Sequence, residues 1–189
     1  MSDSSMATFQ AGSLLVSVPA LYDPNFFRTV VLLFQSSDEG AAGIILNRPT
    51  NRKMSELGSE FANESIDDDQ SVYSGGPVEG PLMAVHESLG LGEAGVIPGV
   101  FLSTTRENLI ELYNQTKHRV RFVANYSGWG RGQLQNEIDA GGWIVVPATV
   151  ELIFSDPEDL WKNICETYGS EVMLEKRFAK HRPNNPELN

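Results

Sequence analysis

Apolar runs of strand length alternate with short helical patterns along most of the chain. Ser13-Leu-Leu-Val-Ser-Val18 predicts a strand, stopped by Pro19 because proline brings no N–H to a central ladder. Asp23-Pro24 predicts a turn or short helix start, with the acid as cap. Thr29-Val-Val-Leu-Leu-Phe34 is apolar throughout and predicts a strand buried on both faces; Ser36–Gly40 is hairpin chemistry, and Gly43-Ile-Ile-Leu46 is the returning strand, ended by Asn47-Arg48-Pro49. Met54, Leu57 and Phe61 recur at helical spacing and predict a short amphipathic helix.

Ser71-Val-Tyr73 and Leu82–His86 read as strands on either side of Gly75-Gly76-Pro77. Glu87–Gly99 holds four glycines and a proline, which predicts a long surface loop or irregular hairpin. After Val100-Phe-Leu102, the pair Thr104 and Glu107 has capping-box spacing ahead of a helix whose apolar face is Leu109, Ile110, Leu112 and Tyr113. Val120–Ala124 is a strand of partial alternation. Tyr126-Ser-Gly-Trp-Gly-Arg-Gly-Gln133 reads as a glycine-rich loop opening a short helix through Leu134 and Ile138, closed by Gly141-Gly142. Trp143–Val146 is the last strand, and Asp156-Pro157 starts a helix with Leu160, Trp161, Ile164, Cys165 and Tyr168 on one face. Strands and short helices without a regular βαβ rhythm predict an α+β fold, organised as one domain over residues 11–178. Residues 1–10 are expected to be a flexible N-terminus and 179–189 a disordered polar tail.

Composition changes this picture little, and charge changes it more. The chain has 189 residues, 41% hydrophobic, which suits a globular domain with a sizeable core. Fourteen Lys+Arg face 25 Asp+Glu, so the net charge is −11, which repels phosphate backbones and argues against direct nucleic-acid binding. The acids crowd at Glu56, Glu60, Glu64, Asp67, Asp68 and Asp69, a solvated helix end and loop. Lys117, His118, Arg119, Arg121 and Arg131 form the most basic stretch, expected at an exposed strand edge with room for an anion. No apolar run nears the roughly 18 residues of a membrane span. Met1-Ser-Asp-Ser-Ser has no basic region of a secretory signal, and a single Cys165 forbids an internal disulfide; a soluble, cytoplasmic protein is expected.

The searches for chemistry are mostly negative. Ser127 lacks the first glycine of a nucleophile elbow, and Cys165 lies on an apolar helix stripe, where a buried inert thiol is expected. His86, His118 and His181 stand singly, without metal-ligand spacing, so no metal and no cofactor is predicted. Gly128, Gly130 and Gly132 with Arg131 could expose amides to an anion at a helix start, although the spacing is not that of a dinucleotide loop. The competing reading is that the glycines serve a tight turn while Trp129 plugs the core. Arg28, Arg48 and Arg106 each sit beside turn residues and would line one groove if those turns converged.

Taken together, the turn motifs are specific in order and spacing. They comprise Gly12-Ser-Leu-Leu, Pro19-Ala-Leu, Asp23-Pro24-x-Phe26, Gly40-Ala-x-Gly43, Asn47-Arg48-Pro49, Gly75-Gly76-Pro77-Val78, His86, Ser103-Thr104, Gly128-Trp129-Gly130, Gly132-Gln133-Leu134, Glu137, Trp143 and Pro147-Ala148. In these the chain resembles the YqgE/AlgH family of bacterial proteins over residues 12–168. The resemblance implies a branched, mainly antiparallel sheet curled into a pseudo-barrel with short packed helices, in a cytoplasmic bacterial protein. It also implies a link to transcriptional regulation, and no agreed catalytic residues. The expectation is therefore a non-enzymatic binding or regulatory protein, acting on transcription indirectly through a protein partner or a small polar or anionic ligand. Its candidate groove is Asn47, Arg48, Gly75, Gly76, His86, Thr104, Arg106, Trp129 and Gln133. Two rivals stand beside it: a hydrolase or transferase using His86 with an acid such as Asp23 or Glu79, and a structural interaction module.

Overall fold

A computed structural model describes residues 9–58, 61, 70–115 and 117–180, with side chains to residue 169. Among the described residues, ten strands lie in one branched sheet. They are β1 (Ser13–Ser17), β2 (Val30–Ser37), β3 (Gly40–Ile45), β4 (Pro49–Lys53), β5 (Ser71–Ser74), β6 (Val78–His86), β7 (Ala94–Ile97), β8 (Val100–Ser103), β9 (Val120–Gly130) and β10 (Trp143–Pro147). The helices are α1 (Arg106–Asn114), α2 (Gln133–Asp139), the single turn α3 (Val150–Ile153) and α4 (Pro157–Lys180). The main path runs β10-β1-β2-β3-β9-β6-β8-β7, and β4 joins through β5. All pairings are antiparallel except β5 with β9. This is the expected α+β half-barrel.

The branch is at β9. Its first half pairs with β6 on one side and with β5 on the other, and its second half leaves β5 to pair with β3. Between the halves Asn125 takes a positive φ of 66°, which asparagine tolerates better than most residues. The resulting bulge puts Val123 and Tyr126, three residues apart, on the same face. A second bulge at Phe34 shifts the register of β2 against β3. Each strand thus begins in one hydrophobic pattern and ends in another.

Three clusters cover the two faces. Leu14, Leu32, Ile44, Val85 and Val123 fill the concave side, closed by Ile153 of α3 and by Leu160 and Ile164 of α4. On the convex side, α2 packs Leu134 and Ile138 against Leu15, Val31, Trp129 and Trp143. Farther along that side, α1 packs Leu109, Leu112 and Tyr113 against Phe122 and Ala84. Each fully buried Leu or Ile stabilises by about 1.5–3 kcal/mol, so three apolar helix stripes suffice to hold the curl.

Several expectations need correction. The glycine-rich loop at 126–133 is the end of β9 as far as Gly130; Gly128 and Gly130 belong to a strand paired with β3, and only Gly132 stands at the start of α2, as its N-cap. Of the basic stretch only Arg121 departs from expectation, being buried on β9 opposite Val85 of β6; Lys117, His118, Arg119 and Arg131 are exposed. Thr104 does not cap α1. Thr105 is the N-cap, and its side chain bonds Glu93 instead of the helix. The helix around Met54 is one 3-10 turn, Met54–Leu57, and Pro49 opens β4, while β3 has already stopped at Ile45. Residues 9–10 are anchored, since Phe9 packs on the convex cluster and Gln10 accepts the Ser13 N–H. The helix α4 runs to Lys180, two residues into the expected tail. The remainder of both termini and the acids Glu60, Glu64 and Asp67–Asp69 lie outside the described residues.

Candidate functional site

Most of the sequence-selected residues turn out to hold the backbone. Asn47 behaves like an extra strand partner: its Oδ1 accepts the Val30 N–H at 2.9 Å, and its amide donates to the Arg28 carbonyl at 2.9 Å. Arg48 donates to the carbonyls of Asn25, Pro24 and Phe27, stapling the 24–28 turn, and desolvation lowers its pKa while Asp23 partly offsets that. Gly75 and Gly76 lie at the branch, where a Cβ would come within 2.3 Å of the Asn125 carbonyl and of Ser127 Oγ respectively. Ser127 is buried and donates to the Gly75 carbonyl, so its hydroxyl is part of the branch as well.

Trp129 is only 4% exposed. Its indole and that of Trp143 both donate to Glu137 Oε2 at 2.9 Å, Phe26 packs against both rings, and Gln133 donates to Glu137 Oε1. Gln133 also accepts the Gly130 N–H, tying the end of β9 to α2. Trp129 therefore plugs the core and is no exposed plate.

His86 is wholly buried at the end of β6. Its Nδ1 accepts the Ser88 N–H at 3.2 Å, which leaves the ring proton on Nε2, 2.9 Å from Ser103 Oγ; the Ser103 hydroxyl in turn donates to the Leu91 carbonyl. Every donor and acceptor in this Ser–His pair is engaged. Desolvation pushes the imidazole pKa below its usual value, holding it neutral. Neither Asp23 nor Glu79 bonds to it, and Glu79 lies seven residues along β6, about 23 Å away at strand rise. The expected acid–base pair is absent, and His86 has no free nitrogen for a substrate.

Glu93 was missed by sequence reasoning. Its carboxylate accepts the N–H and hydroxyl of both Thr104 and Thr105, and the Asn108 amide. Burial opposes its charge, but the Thr105 and Thr104 hydrogen bonds outweigh that and hold its pKa at about 2. An acid on the neighbouring hairpin thus supplies the N-terminal acceptor that α1 lacks. Two threonines before a helix signalled a cap; the partner eleven residues upstream had no local signature.

The nine candidates are dispersed. Thr104 and Trp129 border one depression, and Gln133 lines another with Asp23, Phe26 and Glu137. Asn47, Arg48, Gly75 and Gly76 knit the branch, His86 is sealed beneath Leu91, and Arg106 is the first residue of α1. Of the arginines beside turns, Arg28 and Arg48 meet around the 24–28 turn, with the Arg28 guanidinium over Phe27 and Trp161.

The depression bordered by Thr104 measures about 610 Å³ and opens from the concave face. Gly40, Ala42 and Gly128 floor it, because small residues on β3 and β9 leave the sheet bare there. The bulge at Phe34 brings Gln35 and Ser37 to one wall; the bulge at Asn125 brings Tyr126 to the other, beside Met83 and Leu102. Apolar walls with a few hydrogen-bonding groups are what small-molecule sites commonly present. Among the described residues no cluster of three His, Cys, Asp or Glu is arranged to hold a metal ion, and no helix is long and apolar enough to cross a membrane.

The branched half-barrel occurs in solved proteins. The solution structure of AlgH from Pseudomonas aeruginosa matches over 98% of this chain and 100% of its own, with a TM-score of 0.69 at 24% identity. The crystal structure of a Corynebacterium diphtheriae protein matches over 85% of this chain and 90% of its own, with the same TM-score at 20% identity. Those likenesses concern the fold. In sequence, the chain is 38% identical to a UPF0301 protein of Myxococcus xanthus, covering 84% of this chain and 91% of the relative. It is 35% identical to one of Thermobifida fusca, covering 94% of each. A family model described as AlgH-like matches residues 14–173, nearly the whole sheet and its helices, and the chain belongs to that family.

Proposed function

We propose that this is a non-enzymatic binding protein whose ligand lies in the concave depression between the two strand bulges. The observation that carries this reading is the pair of bulges at Phe34 and Asn125, which turn Gln35, Ser37 and Tyr126 onto a floor of Gly40, Ala42 and Gly128. A small molecule with an apolar body and a polar end suits such walls. The closed hydrogen-bond circuit of His86 and Ser103 favours binding over hydrolysis, because neither group can exchange a proton with a visitor. A regulatory role would then run through ligand occupancy or a protein partner, since a net charge of −11 opposes contact with DNA.

Native mass spectrometry of gently purified protein tests the reading, with Gly128→Leu beside wild type. A Cβ at Gly128 meets only Tyr126 and Val78 side chains at 3.4 and 3.7 Å, so the leucine fills the depression without striking backbone. Wild type should carry a small-molecule adduct that the variant loses, at similar melting temperature. Wild type free of adduct, with no amide shifts around Gly128 against a fragment mixture, would overturn it.

A further inference from the structure

At the opposite end of β9 the surface has another character. A recess of about 390 Å³ is lined by Lys53, Ser71, Tyr73, Arg119, Arg121 and Phe154, where β4, β5 and β9 meet the turn between α3 and α4. Three cations thus line one hollow of a protein whose net charge is −11. Of the three, Arg119 is matched by a two-pronged ion pair with Glu87, both contacts at 2.8 Å. Among the described residues, Lys53 reaches the Ser71 hydroxyl, at 3.0 Å, and no carboxylate.

Arg121 is the unusual group. It is 6% exposed, and its guanidinium lies over the Tyr73 ring at 4.7 Å. It donates to the main-chain carbonyls of Leu46 and Ser155. Those bonds use two of the five N–H donors of the side chain. No carboxylate among the described residues comes within 4 Å of it; Asp156 acts on it only through the longer-range field. Buried charges are normally paired, because desolvating an ion costs several kcal/mol that mutual attraction must offset. Arginine cannot escape the cost by losing its proton at neutral pH. The fold has therefore placed a permanent positive charge in a low-dielectric wall and left part of its donor fork without an acidic partner.

The neighbours suit what is missing. Lys53 adds a second charge with no carboxylate partner among the described residues, and the Ser71 hydroxyl is held beside it across the β4–β5 ladder. Tyr73 and Phe154 have their rings against Arg121 and Arg119, which keeps the guanidinium planes in place and makes the recess partly apolar. A forked donor next to a point-charge ammonium and a hydroxyl is the donor set for a tetrahedral dianion. The recess has room for a compact body behind that group, but it is a single pocket, not a track along which a polymer backbone could run.

We propose that this recess binds a small phosphate monoester, its phosphoryl oxygens held by Arg121, Lys53 and Ser71. The proposal is independent of the ligand assigned to the concave depression, which lies at the other end of β9.

The test is titration of the full chain with inorganic phosphate and with phenyl phosphate at low ionic strength, read by calorimetry and thermal shift. Sodium chloride of matched ionic strength is the blank. Both phosphates should bind saturably and raise the melting temperature above the blank, and phenyl phosphate should bind more tightly because its ring covers apolar wall. Lys53→Gln should weaken both at least tenfold, and Arg121→Met should abolish binding. Lys162→Gln, on the exposed face of α4 beside Glu166, removes the same formal charge and should leave the titration unchanged. If Arg121→Met fails to fold, the Lys53 and Lys162 variants decide the matter. Responses equal to the chloride blank, or equal losses in the Lys53 and Lys162 variants, would overturn the proposal.

Discussion

His86 and Arg121 stand one ladder step apart on paired strands and face opposite sides of the sheet: Val85 is opposite Arg121, and His86 is opposite Val120. Both are buried and both are the kind of residue that attracts functional interpretation. Their surroundings differ in one respect. The imidazole sits in a circuit whose acceptors and donors match one for one, so it can be neutral and inert. The guanidinium meets two carbonyls and a ring, with no carboxylate of its own among the described residues. Burial alone therefore says little about function; the balance of partners says more. Glu137 belongs with His86 on this count, since its two oxygens serve two indoles and a glutamine.

If closed centres are structural, breaking them should unfold the protein before it changes any binding. Trp129→Ala removes a buried ring from the convex cluster and an N–H partner from Glu137, and should cost about 3–5 kcal/mol in urea unfolding. His86→Ala leaves the Ser88 N–H unpaired and a cavity under Leu91, for about 2–4 kcal/mol. The same residue predicts a pH dependence. With its folded pKa below the ordinary value of about 6.5, stability from His86 is complete above that pH. It declines as the pH falls, because the unfolded chain takes up a proton that the fold refuses. His86→Gln should flatten that part of the profile, and an unchanged slope between pH 7 and 5 would show that other groups set it. Glu93→Ala deprives α1 of its borrowed acceptor and should cost about 1 kcal/mol, read as a lower denaturant midpoint.

The smallest effect is expected at the open centre. Arg121→Met relieves the desolvation cost of a buried charge that has no carboxylate among the described residues but takes the donor from the Leu46 and Ser155 carbonyls; the two effects oppose and should leave a change of less than about 1 kcal/mol. A loss as large as that of His86→Ala would place Arg121 among the closed centres and remove the contrast.

Local pattern was a sound guide wherever an element owes its form to its own residues. The all-apolar run of β2, the Asp156-Pro157 start of α4 and the Gly141 stop of α2 stand where periodicity and turn chemistry put them, and the hairpin expected at Ser36–Gly40 turns within it, with β2 running on to Ser37 and β3 starting at Gly40. The glycines of 128–132 misled because the freedom that suits a turn also suits a strand passing close to others. Arg121 is a charge within a largely apolar strand whose sequence neighbours are basic, but its partners Tyr73, Leu46 and Ser155 lie far from it in the chain.

The sequence by itself determined the α+β class, most of the elements and, through the order of its turn motifs, the family. Which turns meet was decided only in the tertiary structure. Strand order, the branch at β9 and the two bulges depend on contacts between residues far apart in the chain, and such contacts leave no period in the residues that make them. A one-residue bulge moves everything after it to the other face. The same glycines and arginines could have lined one groove or, as they do, fastened separate corners.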